Sequence, residues 1–160
     1  MGTDEGRGFH AVITDKTVLQ FENGAPAELA DFKHGQIVKV LPPTEEDLPV
    51  EVDEITILEM TYEEKYERFL THIKGHYNLV VMYEEGNTGG LDVEKMFDRL
   101  SDDVELNAAQ FPYPEYWVVD YKKELDIEKF PVILVFDTEG LIFKTYQEKE
   151  AYKFFDEQKE

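Results

Sequence analysis

Side chains able to perform covalent chemistry are scarce in this sequence. It has no cysteine, a single serine at Ser101, and four histidines, His10, His34, His72 and His76. Without a thiol, thiolate catalysis, disulfides, cysteine-ligated zinc and iron–sulfur clusters are all excluded. His72 and His76 stand four residues apart, a spacing that can chelate zinc on one helix face. Gly75 falls between them, where a helix is expected to end, and the glutamate of a metalloprotease motif is missing. Ordinary surface histidines are the simpler reading. Ser101 lies in no nucleophile elbow, and carboxylates are so abundant that no pair stands out for glycosidase-type work. No metal and no cofactor is expected.

Two stretches rise above this background. Residues 84–90 read Glu-Glu-Gly-Asn-Thr-Gly-Gly and precede a helical pattern. Free helix N–H groups beside glycines can hold an anion, but Glu84, Glu85 and Asp92 crowd the place with negative charge, and Asp92 suits a helix cap. The alternating oxygen ligands of an EF-hand loop are absent. The second stretch is 111–117, Phe-Pro-Tyr-Pro-Glu-Tyr-Trp, with four aromatics and two prolines in seven residues. Part of it must enter a core at Tyr116 or Trp117, and an exposed remainder would form an aromatic recognition patch.

The elements that must position these stretches follow from periodicity. Residues 132–136, Val-Ile-Leu-Val-Phe, follow Pro131 and read as a strand buried on both faces. Residues 137–140 have turn chemistry, and 141–146 return as the second arm of a hairpin. Upstream, Thr61 and Glu64 have capping-box spacing. Tyr62, Tyr66, Phe69, Leu70 and Ile73 then recur at helical intervals, predicting an amphipathic helix that runs to Gly75. Residues 79–83 read as a central strand, and 91–100 as a second helix with Leu91, Val93, Met96, Phe97 and Leu100 on its apolar side. Residues 101–114 read as irregular, with one short strand at most. A strand is expected over 116–121, a helical turn within 125–130, and a terminal helix over 149–158 with Tyr152 and Phe155 facing inward. A strand–helix–strand unit requires parallel strands.

Before residue 61 the pattern is short strands and turns. Strands are expected over 9–14 and 17–22 with a tight turn at Asp15–Lys16, then a turn at Asn23–Gly24. A brief segment at 29–32, a strand over 36–41 stopped by Pro42 and Pro43, and an acidic loop at 44–47 come next. The last strand spans 49–60, broken near Asp53, with Val50, Val52, Ile55 and Ile57 inward. Such spacing suggests a small closed or partly open β-barrel. The expected organisation is a flexible tail over 1–8, a β-barrel domain over 9–60 and an α/β domain over 61–160.

Bulk composition bounds the partners. The formal net charge is −20, which repels phosphate backbones and argues against nucleic acid, while attracting basic partners. No apolar run approaches the roughly 18 residues that cross a bilayer. The polar, Gly-rich start resembles the spacer after the lipidated cysteine of mature bacterial lipoproteins, with Met1 where that cysteine stood. That resemblance implies a lipid tether and an extracytoplasmic location. Its rival is an ordinary frayed terminus or expression remnant, with a cytoplasmic location.

Two stretches carry further resemblances. Residues 79–90, Leu-Val-Val-Met-Tyr-Glu-Glu-Gly-Asn-Thr-Gly-Gly, fit the strand and loop that lead into Cys-Gly-Pro-Cys in thioredoxins, with Asn87 and Gly90 at the cysteine positions. Val119–Asp120, then 125–131 ending in Phe130–Pro131, then 132–140, are similar to that family's later segments. The resemblance covers roughly 78–157. It implies a thioredoxin-like α/β fold, a cis Phe130–Pro131 bond facing residues 87–90, and a surface that receives extended peptides. It also implies lost chemistry, because neither Asn87 nor Gly90 can replace a thiolate. Residues 32–40 with 48–58 resemble, loosely, the small OB-like barrels of some bacterial lipoproteins.

The function this suggests is non-catalytic: a binding or scaffold protein holding a peptide or protein partner at Asn87, Thr88, Gly89, Gly90, Phe130, Pro131 and Tyr113. Two alternatives stand beside it. One is an enzyme using non-cysteine chemistry at the same cleft, around Glu84, Glu85 and Asp120. The other is a barrel-mediated interaction protein with a purely structural thioredoxin-like unit.

Overall fold

The computed structural model describes residues 10–43 and 49–159. The expected tail over 1–8, Phe9 and the acidic loop at 44–47 lie outside the described residues. The chain divides into two compact units. One runs up to Met60 and includes Tyr116–Val118; the other comprises Thr61–Glu115 and Val119–Glu160. Among the described residues, no helix is long and apolar enough to cross a membrane.

Among the described residues, the first unit holds five short strands and one turn of 3-10 helix. Strand β1 (Ala11–Val12) pairs in parallel with β4 (Val50–Glu51). Strand β5 (Glu54–Ile57) is flanked by β2 (Val18–Phe21), parallel, and β3 (Val38–Leu41), antiparallel. A turn does form at residues 15–16, closed by Thr17 N–H to the Thr14 carbonyl at 3.0 Å. The strands on either side of it do not pair with each other, however; each pairs with the 50–57 segment. Residues 29–32 hold a 3-10 turn, Leu29–Asp31, in place of a strand, because Asp31 reaches back to the Glu28 N–H at 2.8 Å and closes a local cap. The break near Asp53 is present, and Val52, Ile55 and Ile57 are buried while Val50 is half-buried. Trp117 belongs to this unit. Val118 N–H bonds the His34 carbonyl at 2.8 Å, and the indole lies against Gly35.

In the second unit, helix α1 (Tyr62–Tyr66) opens on the expected capping box. The Thr61 hydroxyl accepts from Glu64 N–H, and the Glu64 carboxylate accepts from Thr61 N–H at 2.8 Å. The helix stops far short of Gly75. Phe69 and Leu70 are buried in a turn after Tyr66, and Thr71 N–H bonds the Asp137 carbonyl at 3.2 Å. Aromatic packing thus breaks a segment whose spacing alone reads as helix, and Ile73 is left exposed. Thr61→Ala should lower stability by about 1 kcal/mol in urea unfolding, with Thr61→Ser restoring most of it; equal loss in both variants would deny the cap its role.

Strand β6 (Tyr77–Tyr83), helix α2 (Val93–Leu100) and strand β7 (Leu106–Pro112) form a parallel unit. Helix α3 (Tyr121–Glu124) follows, then the hairpin of β8 (Val132–Phe136) and β9 (Leu141–Thr145), then helix α4 (Glu148–Glu157). The sheet order is β7-β6-β8-β9, with β8 antiparallel to both neighbours. The strand expected at 116–121 is absent, and its parallel partner role falls to β7, inside the 101–114 stretch that reads as irregular with one short strand at most.

Every residue of β8 is buried. Alternation sends Leu79, Val81, Ile133 and Val135 to a core with Met96 and Leu100 of α2 and Ala151, Tyr152 and Phe155 of α4. On the opposite face, Phe136 meets Phe69 at 5.2 Å and Tyr66 at 6.3 Å between ring centroids, and Phe69 meets Tyr121 at 5.0 Å. Helical segments therefore cover both faces of the sheet.

Among the described residues, three phenols in this unit donate to carboxylates, two of them in its packed body. The Tyr66 hydroxyl donates to Glu124 Oε2 at 2.7 Å, and that of Tyr152 donates to Glu148. Burial first, then the carboxylate acceptor, pushes Tyr152 up to about 12 from its ordinary 10.0, against the opposing pull of the Arg99 guanidinium over its ring. Tyr66 is pushed up further by the same two causes. A raised folded-state pKa means the stabilisation is fully present below the ordinary tyrosine value and is lost as pH rises through the folded one. Stability should therefore fall from about pH 10 upward. In ultraviolet titration, Tyr152→Phe and Tyr66→Phe should each remove a phenol that ionises above the ordinary tyrosine value. Loss of a phenol that ionises at the ordinary value in both variants, with flat stability, would contradict this.

Candidate functional site

Parallel β6 and β7 end where antiparallel β8 begins, so three loops meet at one end of the sheet. Register fixes the meeting: Tyr83 lies opposite Pro112, and Met82 opposite Val132. The loop after β6 carries Asn87 to Gly90, the residue after β7 is Tyr113, and Phe130 and Pro131 lead into β8. Loop ends at such a place in an α/β sheet are a common seat for ligands.

The loop after β6 is shaped by its own polar atoms. Asn87 N–H bonds the Glu84 carbonyl at 2.9 Å, and Asn87 Oδ1 accepts from Gly89 N–H at 3.0 Å. Gly89 has φ +61 and lies against Pro131: a Cβ on Gly89 would stand 2.6 Å from Pro131 Cγ and 2.7 Å from Cδ. Only glycine lets this loop approach the proline ring so closely. The Phe130–Pro131 bond is cis, as the resemblance implies; Leu41–Pro42 in the other unit is also cis, which nothing in the sequence foretold.

Tyr113 is placed by its N–H, which bonds the Tyr83 carbonyl at 2.7 Å. Its ring tilts over Phe130 at 4.9 Å between centroids, and its hydroxyl donates to Asp120 Oδ1 at 3.1 Å. Partial burial, with the Asp120 carboxylate second, pushes the Tyr113 phenol above its ordinary value and keeps it a hydrogen-bond donor. Lys122 Nζ lies 5.6 Å from the Phe130 centroid on the same cluster. Asp92 caps α2 by accepting from Lys95 N–H at 3.2 Å, and this bond holds its carboxyl below the usual range. The helix N-terminus is thus occupied by its own residue.

All seven sequence-proposed positions therefore fall at one end of this sheet. Gly89 meets Pro131, and Tyr113 meets Phe130. The aromatic stretch around Tyr113 divides. Phe111 turns inward to Phe69 at 5.0 Å, Tyr116 is 79% exposed, and Trp117 joins the other unit. The contribution of Lys122 is not readable in the sequence, because a lysine beside a phenylalanine eight residues on has no local signature. Among the described residues, no group of three or more His, Asp or Glu side chains converges as a metal site.

A groove of about 520 Å³ lies elsewhere on the same unit, lined by Tyr62, Tyr66, Glu124, Asp126, Glu139 and Gly140 among others. Tyr62 stacks on Tyr66 at 4.5 Å, and its hydroxyl closes on Gly140. The sequence hint was the pair of tyrosines four apart.

Compared with known protein families, curated proteins and solved structures, the chain matches none.

Proposed function

We propose that this chain is a non-catalytic binding or scaffold protein. Its second unit is read as a redox-inactive thioredoxin-like fold, and its first as a small OB-like barrel. The cleft at Asn87, Thr88, Gly89, Gly90, Phe130, Pro131 and Tyr113 holds an extended segment of a protein or peptide partner. The observation that carries this reading is the close approach of Gly89 to Pro131 beside the Tyr113–Phe130 pair, in a chain with no thiol. The order strand, helix, strand, helix, hairpin, helix around the sheet β7-β6-β8-β9 supports the fold assignment. Half-buried rings with a hydroxyl and an ammonium at hand suit recognition of an apolar side chain next to a polar backbone. The net charge of −20 favours a basic partner.

Selection of random peptides on the full chain tests the reading. Selected peptides should lose at least about tenfold in affinity, roughly 1.4 kcal/mol, against Phe130→Ala and against Tyr113→Ala, with both variants folded by circular dichroism. Unchanged affinity in both variants would refute it.

A further inference from the structure

Strand β7 forms one edge of its sheet, and it is an unusual edge for this chain. Charged residues make up 32% of the sequence, yet Leu-Asn-Ala-Ala-Gln-Phe-Pro carries none. Exposed sheet edges are ordinarily blunted by charge, bulges or proline, because a row of unpaired backbone groups is a template for another strand. The opposite edge, β9, has such devices. Lys144 is anchored to the carbonyls of Leu125 and Asp126, and the β8–β9 register shifts between Val135 and Phe136. Strand β7 has only Pro112 at its far end, and Asn107, Ala109 and Gln110 are exposed.

The pairing fixes which backbone groups face outward. Tyr77 N–H bonds the Glu105 carbonyl at 3.0 Å, and Tyr113 N–H bonds the Tyr83 carbonyl at 2.7 Å. With a period of two, residues 105, 107, 109, 111 and 113 turn their backbone toward β6. Leu106, Ala108 and Gln110 therefore present N–H and C=O to the outside. Small side chains at 108 and 109 leave room for a neighbouring strand.

We infer that this edge takes an extended basic peptide segment as an added strand. Charge selects the occupant. Exposed Asp102 and Glu105 stand at one end of the strand and Glu115 beyond the other, in a chain of net charge −20. A second copy would bring the same charges against each other, whereas lysines or arginines in an incoming strand would be drawn to both ends. The inference does not rest on the cleft beyond Tyr113.

Amide hydrogen exchange on the full chain, with and without a synthetic peptide of alternating valine and lysine, tests it. The amides of Leu106, Ala108 and Gln110 should slow by about tenfold or more on binding, while those of Asn107, Ala109 and Phe111, already paired to β6, change little. Ala108→Pro removes one outward N–H at an edge position that tolerates proline, and should abolish the slowing. Gln110→Lys, which leaves the backbone intact, should weaken the valine–lysine peptide. Phe130→Ala should leave the effect in place, so this surface and the cleft fail or succeed separately. Three results would overturn the inference: no slowing at the three outward amides, equal slowing by a valine–glutamate peptide, or concentration-dependent protection without peptide, which would make the occupant a second copy.

Discussion

Replacing Phe69 by alanine should destabilise the second unit by about 3–5 kcal/mol, a large part of the roughly 5–15 kcal/mol that holds a domain folded. The side chain is 1% exposed. Its ring meets three others, Phe111 and Tyr121 at 5.0 Å and Phe136 at 5.2 Å. Its carbonyl accepts from Asn78 Nδ2 at 2.8 Å, which ties the turn after α1 to the central strand β6. Truncation would leave a cavity whose walls are large rigid rings, so little collapse can offset the loss. Phe69→Leu keeps most of the volume and should cost about 1.5 kcal/mol or less. Urea unfolding by far-ultraviolet circular dichroism measures both. A loss under about 1 kcal/mol for alanine would mean that the aromatic cluster does not hold the sheet face opposite α2 and α4.

In the first unit, Gly35→Ala should cost about 2–4 kcal/mol, the sum of left-handed backbone strain and of overpacking. Gly35 has φ +77, and a Cβ there would stand 2.6 Å from Trp117 Nε1, inside the space of a rigid indole. The ring cannot yield as a flexible side-chain tip would, so Trp117 must leave its seat. Because it is the single tryptophan, its emission reports the displacement directly. Gly24→Ala is the matched control. It has φ +84 with nothing within 4 Å of the added carbon, so strain alone operates. Its cost should be about 1–2 kcal/mol with unaltered tryptophan emission. Equal effects of the two variants would show that contact with Trp117 contributes nothing.

Legibility of the fold in the sequence followed how local the deciding forces are. The capping box at Thr61, the buried run of β8 and the turn at Asp137 are local, and each is present. Asp137 Oδ1 accepts from Glu139 N–H at 2.8 Å and Gly140 N–H at 3.0 Å, which is chemistry the turn residues carry themselves. Strand β7 was legible at most as a short strand within 101–114, because Ala108, Ala109 and Gln110 have little strand propensity; pairing with β6 extends it over seven residues. The helix expected to reach Gly75 failed for the opposite reason. Tyr62, Tyr66, Phe69 and Leu70 have helical spacing, but aromatic contacts with Phe136 and Tyr121 bury Phe69 in a turn. Residues 116–121, rich in Tyr, Trp and Val, read as strand, yet Trp117 is drawn to Gly35 and Tyr121 starts α3.

At the candidate cleft, residues 87–90 and Phe130–Pro131 came from the thioredoxin resemblance, and Tyr113 from the density of aromatics over 111–117. Gly89 and Pro131 lie 42 positions apart, and only the antiparallel pairing of β6 with β8 brings their loops to the same end. Asp120 could be named beforehand as an acid near the cleft. Its actual part, accepting from the Tyr113 hydroxyl while also capping α3, depends on where β7 ends.

The central claim is that the cleft holds a partner segment. Its most direct test is a map of backbone and aromatic NMR shifts while a selected peptide is added to the full chain. The expected changes centre on Gly89, Gly90, Tyr113 and Phe130, saturate together, and vanish in Phe130→Ala. Shifts that saturate around Tyr62 and Gly140 instead, or that survive unchanged in Phe130→Ala, would contradict the claim.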